Sequence, residues 1–125
     1  MNILIVDDEP LVRKSLGRAC RVKGHEVSEA ADGSEGLTKW LSMAPHLVFV
    51  DVLMPGLSGP ELLAEIVKVR GTLRPTRVIL ISAYSGEHNF EESGQSGALH
   101  DLFIPKPFDD VFAVVAQAEL LFAAK

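Results

Sequence analysis

Three runs of apolar, mostly β-branched residues constrain this chain more than any other feature: ILIV at 3–6, LVFV at 47–50 and VILI at 78–81. Each has the length of a strand rather than a helix, and each is apolar at consecutive positions instead of alternate ones. A strand of that kind has both faces covered, as in a parallel sheet between two layers of helices. Parallel neighbours cannot be joined by hairpins, so helical crossovers must separate the runs. The intervening sequence supplies them. Val12, Leu16, Ala19 and Cys20 recur at helical spacing between Pro10, suited to a first turn, and Gly24, suited to a stop. Leu37, Trp40 and Leu41 mark a second helix that Asp32 or Ser34 can cap. Leu62, Leu63, Ile66 and Val67 mark a third over 60–70, and Val111, Val114, Val115, Ala118 and Leu121 a last one from about 109. Val27 lies in a weaker strand, and 102–104 forms a short final one. Strand then helix, five times over, predicts an α/β fold: a three-layer doubly wound (βα)5 sandwich whose parallel five-stranded sheet has the order 2-1-3-4-5. The exception is 84–102, polar and glycine-bearing, with Phe90 and Leu99 its only large apolar residues between the ends. A fourth helix there is expected to be short and loosely packed.

At 125 residues, with no linker, low-complexity tract or repeat, the chain is expected to form one domain over 1–125. No apolar stretch approaches the roughly 20 residues of a membrane span. Met1 leads straight into the first strand without a secretion leader, so a soluble, cytoplasmic protein is expected. Twelve basic and 17 acidic side chains leave a net charge of −5, which argues against direct contact with nucleic acid. The one cysteine, Cys20, excludes an internal disulfide and falls at a core position, as does Trp40.

Ligands of open parallel sheets bind outside the carboxyl ends of the strands, and acids gather there. Asp7 and Asp8 follow the first strand, and Asp51 ends the third. In the order 2-1-3-4-5 these strands are neighbours, about 4.8 Å apart, so the carboxylates must converge. Such a cluster either keeps a proton or binds a cation, and oxygen donors without Cys or His suit Mg²⁺, with Mn²⁺ as the alternative. Ser82 closes the fourth strand and Lys106 follows the fifth on the same edge. A hydroxyl and an ammonium facing an acid cluster with a metal are what an incoming phosphoryl group requires. Each of the five taken singly would pass for a solvated polar residue; their common edge is the signal.

The motifs DDE at 7–9, DVLMPGLSG at 51–59, SA at 82–83 and KPF at 106–108 stand in the order of a two-component response regulator receiver domain, and the chain resembles that family over its whole length. The resemblance implies that Asp51 is the phosphoacceptor for a histidine kinase or phosphotransfer protein. Asp7, Asp8, Asp51 and the backbone carbonyl of Leu53 would hold Mg²⁺, Asp7 mainly through water. Ser82 and Lys106 would bind the phosphoryl oxygens, and Phe103 takes the place of the switching aromatic. It further implies a cis peptide between Lys106 and Pro107. The chain would be no enzyme beyond its own phosphorylation and dephosphorylation. Phosphorylation would remodel the surface of the fourth helix, fifth strand and fifth, last helix, which a downstream effector, a fused output domain or a second copy in a homodimer would read. No membrane partner is implied.

Three departures stand out. The spacing from Gly97 to Lys106 is about two residues longer than the family's usual one, Phe103 lacks the hydroxyl of the commoner tyrosine, and Pro105 stiffens the lysine loop. Leu53 and Tyr84, which flank the approach of a hydrolytic water, offer nothing to orient it and predict a phosphorylated state lasting many minutes to hours. A pseudo-receiver, a binding module without phosphorylation, would typically lack an acid or the lysine; neither is missing. A related phosphohydrolase would want a second acid where Leu53 stands, and DDEPLVRK would repel a dinucleotide. His25, His46, His88 and His100 show no ligand spacing. The last helix carries Phe112, Leu120 and Phe122 beyond one apolar stripe, an excess that suits a dimer or partner face or a helix covered by a longer chain.

Overall fold

A computed structural model describes residues 1–83 and 99–123. Within them the chain runs β1 (Asn2–Val6), α1 (Pro10–Val22), β2 (Glu26–Ala30), α2 (Gly33–Met43), β3 (Leu47–Asp51), α3 (Gly59–Arg70), β4 (Arg77–Ser82), β5 (Leu102–Pro105) and α4 (Val111–Ala123). The expected fourth helix falls on 84–98, outside the described residues, as do Tyr84, His88, Phe90 and Gly97. The helix expected fifth is therefore α4 here. All strands pair in parallel in the order β2-β1-β3-β4-β5.

The continuous apolar runs are explained by two cores, one on each face. Leu4, Val6, Val48, Val50 and Leu80 pack with Trp40, Leu62, Leu63 and Ile66 of α2 and α3. Ile3, Ile5, Phe49, Ile79 and Ile81 pack with Leu16, Ala19 and Cys20 of α1 and Val114, Val115 and Ala118 of α4. No residue of 3–6, 47–50 or 78–81 is more than 2% exposed. At about 1.5–3 kcal/mol for each large aliphatic side chain removed from water, these runs dominate the stability of the sheet. Burial also pushes the Cys20 thiol up to about 12, so it serves as a core residue.

Local signals set the helix ends. The Asp32 side chain accepts from Glu35 N at 2.8 Å, which resolves the cap of α2 in favour of Asp32. Ser58 and Glu61 form a reciprocal capping box on α3, and Gly71, with φ of 84°, ends it. Pro105 closes β5, an edge strand, where its missing N–H leaves no ladder bond broken. The peptide bonds before Pro75 and Pro107 are cis, the second as expected from the resemblance.

Phe122 is half-buried against the α1–α4 core and does not belong with Phe112 and Leu120, which are 43% and 65% exposed. The end of the polar segment is also tied down: Leu99 packs on the core, and the Asp101 carboxylate accepts from Arg74, Arg77 and the backbone N–H of Val78.

Candidate functional site

Because every strand runs the same way, the polar residues that end them meet at one edge. Backbone pairing carries on one step past the strands: Asp7 N donates to Ala30 O at 3.1 Å, and Lys106 N to Ser82 O at 2.8 Å. Lys106 is thereby set beside the end of β4, and Asp7 beside β2. Gly59 lets the start of α3 close against β3: its N–H donates to Val52 O at 2.9 Å, and a Cβ there would stand 2.6 Å from Asp51 O. The GLSGP stretch thus fits the helix to the aspartate it follows.

Carboxylate oxygens of Asp7, Asp8 and Asp51 lie within 4.8 Å of one another. Asp7 is 0% and Asp51 5% exposed, while Asp8 faces solvent. The Lys106 ammonium reaches three acids: Glu9 Oε1 at 2.6 Å, Asp7 Oδ2 at 3.1 Å and Asp51 Oδ2 at 3.5 Å. One cation for so many acids leaves the site short of positive charge, and the titration behaviour follows. Burial first, then the charge of Asp7, pushes Asp51 up to about 7. Burial likewise raises Asp7, against the pull of the Glu9 N–H and Lys106. Burial works against the Lys106 charge, but its Glu9 hydrogen bond and the Asp7 and Asp51 charges outweigh it and hold the ammonium protonated.

Asp8, Glu9, Asp51, Leu53, Ser82 and Lys106 line a cleft of about 360 Å³. Ser82 is 1% exposed, and Leu53, at 55%, forms part of the rim. Phe103, opposite Leu80 in the ladder, is half-buried against the α2–α3 core. Asp7, Asp8, Asp51, Ser82, Lys106 and Leu53 are thus brought to one edge, with Phe103 on the neighbouring strand. An all-oxygen donor set with surplus negative charge fits Mg²⁺ or Mn²⁺, and among the described residues no other group of three potential ligands forms.

Two participants escape sequence reasoning. Glu9 is the nearest partner of Lys106, and its one signal is that it extends the acidic pair to DDE. The Arg13 guanidinium donates to the Asp7 backbone carbonyl at 2.7 Å and pairs with Glu29 at 3.3 Å, bracing the turn that carries the acids. Nothing in the spacing marks it.

The family model for the response regulator receiver domain matches residues 3–115. Response regulator RR06 of Streptococcus pneumoniae serotype 2 is 34% identical over 114 residues, which cover 91% of this chain and 50% of RR06. Protein PilG of Pseudomonas aeruginosa is 28% identical over 125 residues, 100% of this chain and 85% of PilG. The response regulator protein TrrA of Thermotoga maritima, solved in complex with Mg(2+)-BeF, aligns with a TM-score of 0.78 at 33% identity over 96% of this chain and 97% of its own. The chain spans about half the length of RR06 and of the mycobacterial MprA regulators it also matches.

Proposed function

The chain belongs to the response regulator receiver family, and from that premise we propose that it is a phospho-accepting receiver domain over 1–125 with Asp51 as its acceptor. The carrying observation is the convergence of Asp7, Asp8 and Asp51 with Lys106 at the carboxyl ends of β1, β3 and β5. A histidine kinase or phosphotransfer protein would present phosphohistidine at the cleft. An Asp51 oxygen attacks phosphorus in line, the P–N bond breaks, and the departing imidazole keeps the electron pair and takes a proton. The product is an acyl phosphate. A proton on Asp51 opposes attack, and with its titration near 7 the bare carboxylate is readily reached.

Bound in the cleft, Mg²⁺ or Mn²⁺ would offset charge on the transferring oxygens; Asp8, Asp51 and the Leu53 carbonyl would hold it directly and Asp7 through water. Lys106, already 3.5 Å from Asp51, pairs with one phosphoryl oxygen, and the Ser82 hydroxyl donates to another. Drawing Ser82 inward gives Phe103 room to turn, and the surface of β5 and α4 changes for an effector, an output domain or a second copy. Leu53 at the rim offers no hydrogen bond to a hydrolytic water, which supports a long-lived phosphorylated state.

Incubation with acetyl phosphate and Mg²⁺, followed by intact-mass spectrometry, tests the reading. One added phosphoryl group is expected on the native chain and none on Asp51→Asn. Equal labelling of the variant would overturn the assignment, and no labelling of either would make the chain a pseudo-receiver.

A further inference from the structure

The opposite edge of the sheet, where β3 and β4 begin, holds a cavity of about 550 Å³, larger than the acidic cleft. Its accessible apolar wall is made by Leu73, 6% exposed, and the half-buried Leu121 and Phe122 of α4, while Trp40 and Ile66, at 1% and 0% exposure, are covered. Its charged lining is Arg70, Arg74 and Arg77 with no acidic side chain, in a chain of net charge −5, and His46, Thr72 and Thr76 complete its polar lining.

The protein uses only part of these donors. Arg74 is committed, meeting Asp101 at 2.6 and 3.2 Å and Thr76 O at 2.9 Å. Arg77 gives one N–H to Asp101 at 3.2 Å, and Arg70 one to Leu41 O at 2.7 Å. The other guanidinium N–H groups of Arg70 and Arg77 have no partner among the described residues. His46 accepts the Asn2 N–H on Nδ1 at 2.9 Å, so its neutral form must carry the proton on Nε2 as a further donor. Asp101, which already takes two bonds from Arg74 and one from Val78 N, cannot offset three arginines. An apolar wall beside surplus donors calls for a ligand with an apolar body and a negative end, and the volume lies within the roughly 300–1,000 Å³ of small-molecule sites.

We propose that this cavity binds a small organic anion, an aromatic or branched-chain carboxylate or phosphate monoester, with its body against Leu73 and Phe122 and its charge on Arg70 and Arg77. The site is independent of the phosphoacceptor reading and would stand if Asp51 proved inert. Trp40, the sole tryptophan, is a built-in reporter.

The test titrates the full chain with naphthoate while following Trp40 fluorescence and backbone amide resonances. Saturable binding with a dissociation constant below about 1 mM is expected, with shifts at His46, Arg70 and Arg77. Naphthamide, the neutral isostere, and the variants Arg70→Gln and Arg77→Gln should each bind about tenfold more weakly, the loss of one charge-assisted contact. Inorganic phosphate should bind more weakly still, for want of a body. Equal affinity for naphthamide, shifts centred on Asp8 and Lys106 instead, or no saturation would overturn the proposal.

Discussion

The two edges of the sheet carry ion clusters of opposite make-up. At the carboxyl edge one ammonium, Lys106, stands among Asp7, Glu9 and Asp51; at the amino edge one carboxylate, Asp101, stands between Arg74 and Arg77. The first is dry at its centre, with the side chains of Lys106, Asp7 and Asp51 5%, 0% and 7% exposed and only Glu9 open at 56%, and the second is wetter, with Arg74 51% and Arg77 39% exposed around Asp101 at 9%. Each is short of the charge it lacks. Only in the buried cluster does that shortage carry a large free energy, because water screens the other. At the carboxyl edge the shortage shows in Asp7 and Asp51, both raised by burial and, for Asp51, by the neighbouring Asp7 charge.

The largest expected effect comes from removing the single cation of the dry cluster. Lys106→Ala leaves the acids uncompensated and should cost about 3–5 kcal/mol at neutral pH. Thermal unfolding across pH checks it. The deficit should shrink as pH falls, because Asp7 and Asp51, both raised, take up protons early. A loss below about 1 kcal/mol would mean the cluster is as screened as an exposed ion pair.

Removing a charge from the same cluster should act in the opposite direction. The folded chain keeps a proton on Asp51 up to about 7, whereas the unfolded chain releases it near the ordinary 3.8. The folded state thus binds more protons across that window, and Asp51 lowers stability as pH rises through it. Asp51→Asn escapes this loss and should be more stable by on the order of 1–3 kcal/mol at about pH 8, the gain fading below about pH 4. A variant less stable than the native chain at about pH 8 would contradict the strained-cluster account. The smallest effect belongs to the wet edge: Arg77→Gln should cost less than about 1 kcal/mol in denaturant unfolding, since Arg74 still holds Asp101. A cost above about 3 kcal/mol would erase the distinction between the edges.

The same contrast explains what the sequence discloses. In a parallel sheet, whatever residue follows each apolar run lands on one edge, so Asp7, Asp8, Asp51, Ser82 and Lys106 are legible as a group from strand ends alone. Glu9 is not, because its role depends on an ammonium 97 residues away choosing it over Asp51. The amino edge is less legible still. Arg70 ends a helix, Arg74 lies in a loop and Arg77 starts a strand, so no period or motif joins them. Phe122 is hard to place for the same reason: helical spacing puts it off the main apolar stripe, and only the packing of the end of α4 shows it half-buried. Asp101, in a segment whose polarity suggests looseness, is held by partners from another loop and strand.

The claim that the carboxyl edge is built for a cation and the amino edge is not is tested most directly by Mg²⁺ titration followed at backbone amides. Shifts should be confined to the surroundings of Asp8, Asp51, Leu53 and Lys106, with affinity tightening as pH rises through about 7 and Asp51 loses its proton. Asp51→Asn should weaken binding by tenfold or more, on the order of a lost ligand, and abolish that pH dependence. Unchanged affinity in the variant, or shifts spread to Trp40, His46 and Arg77, would contradict the account.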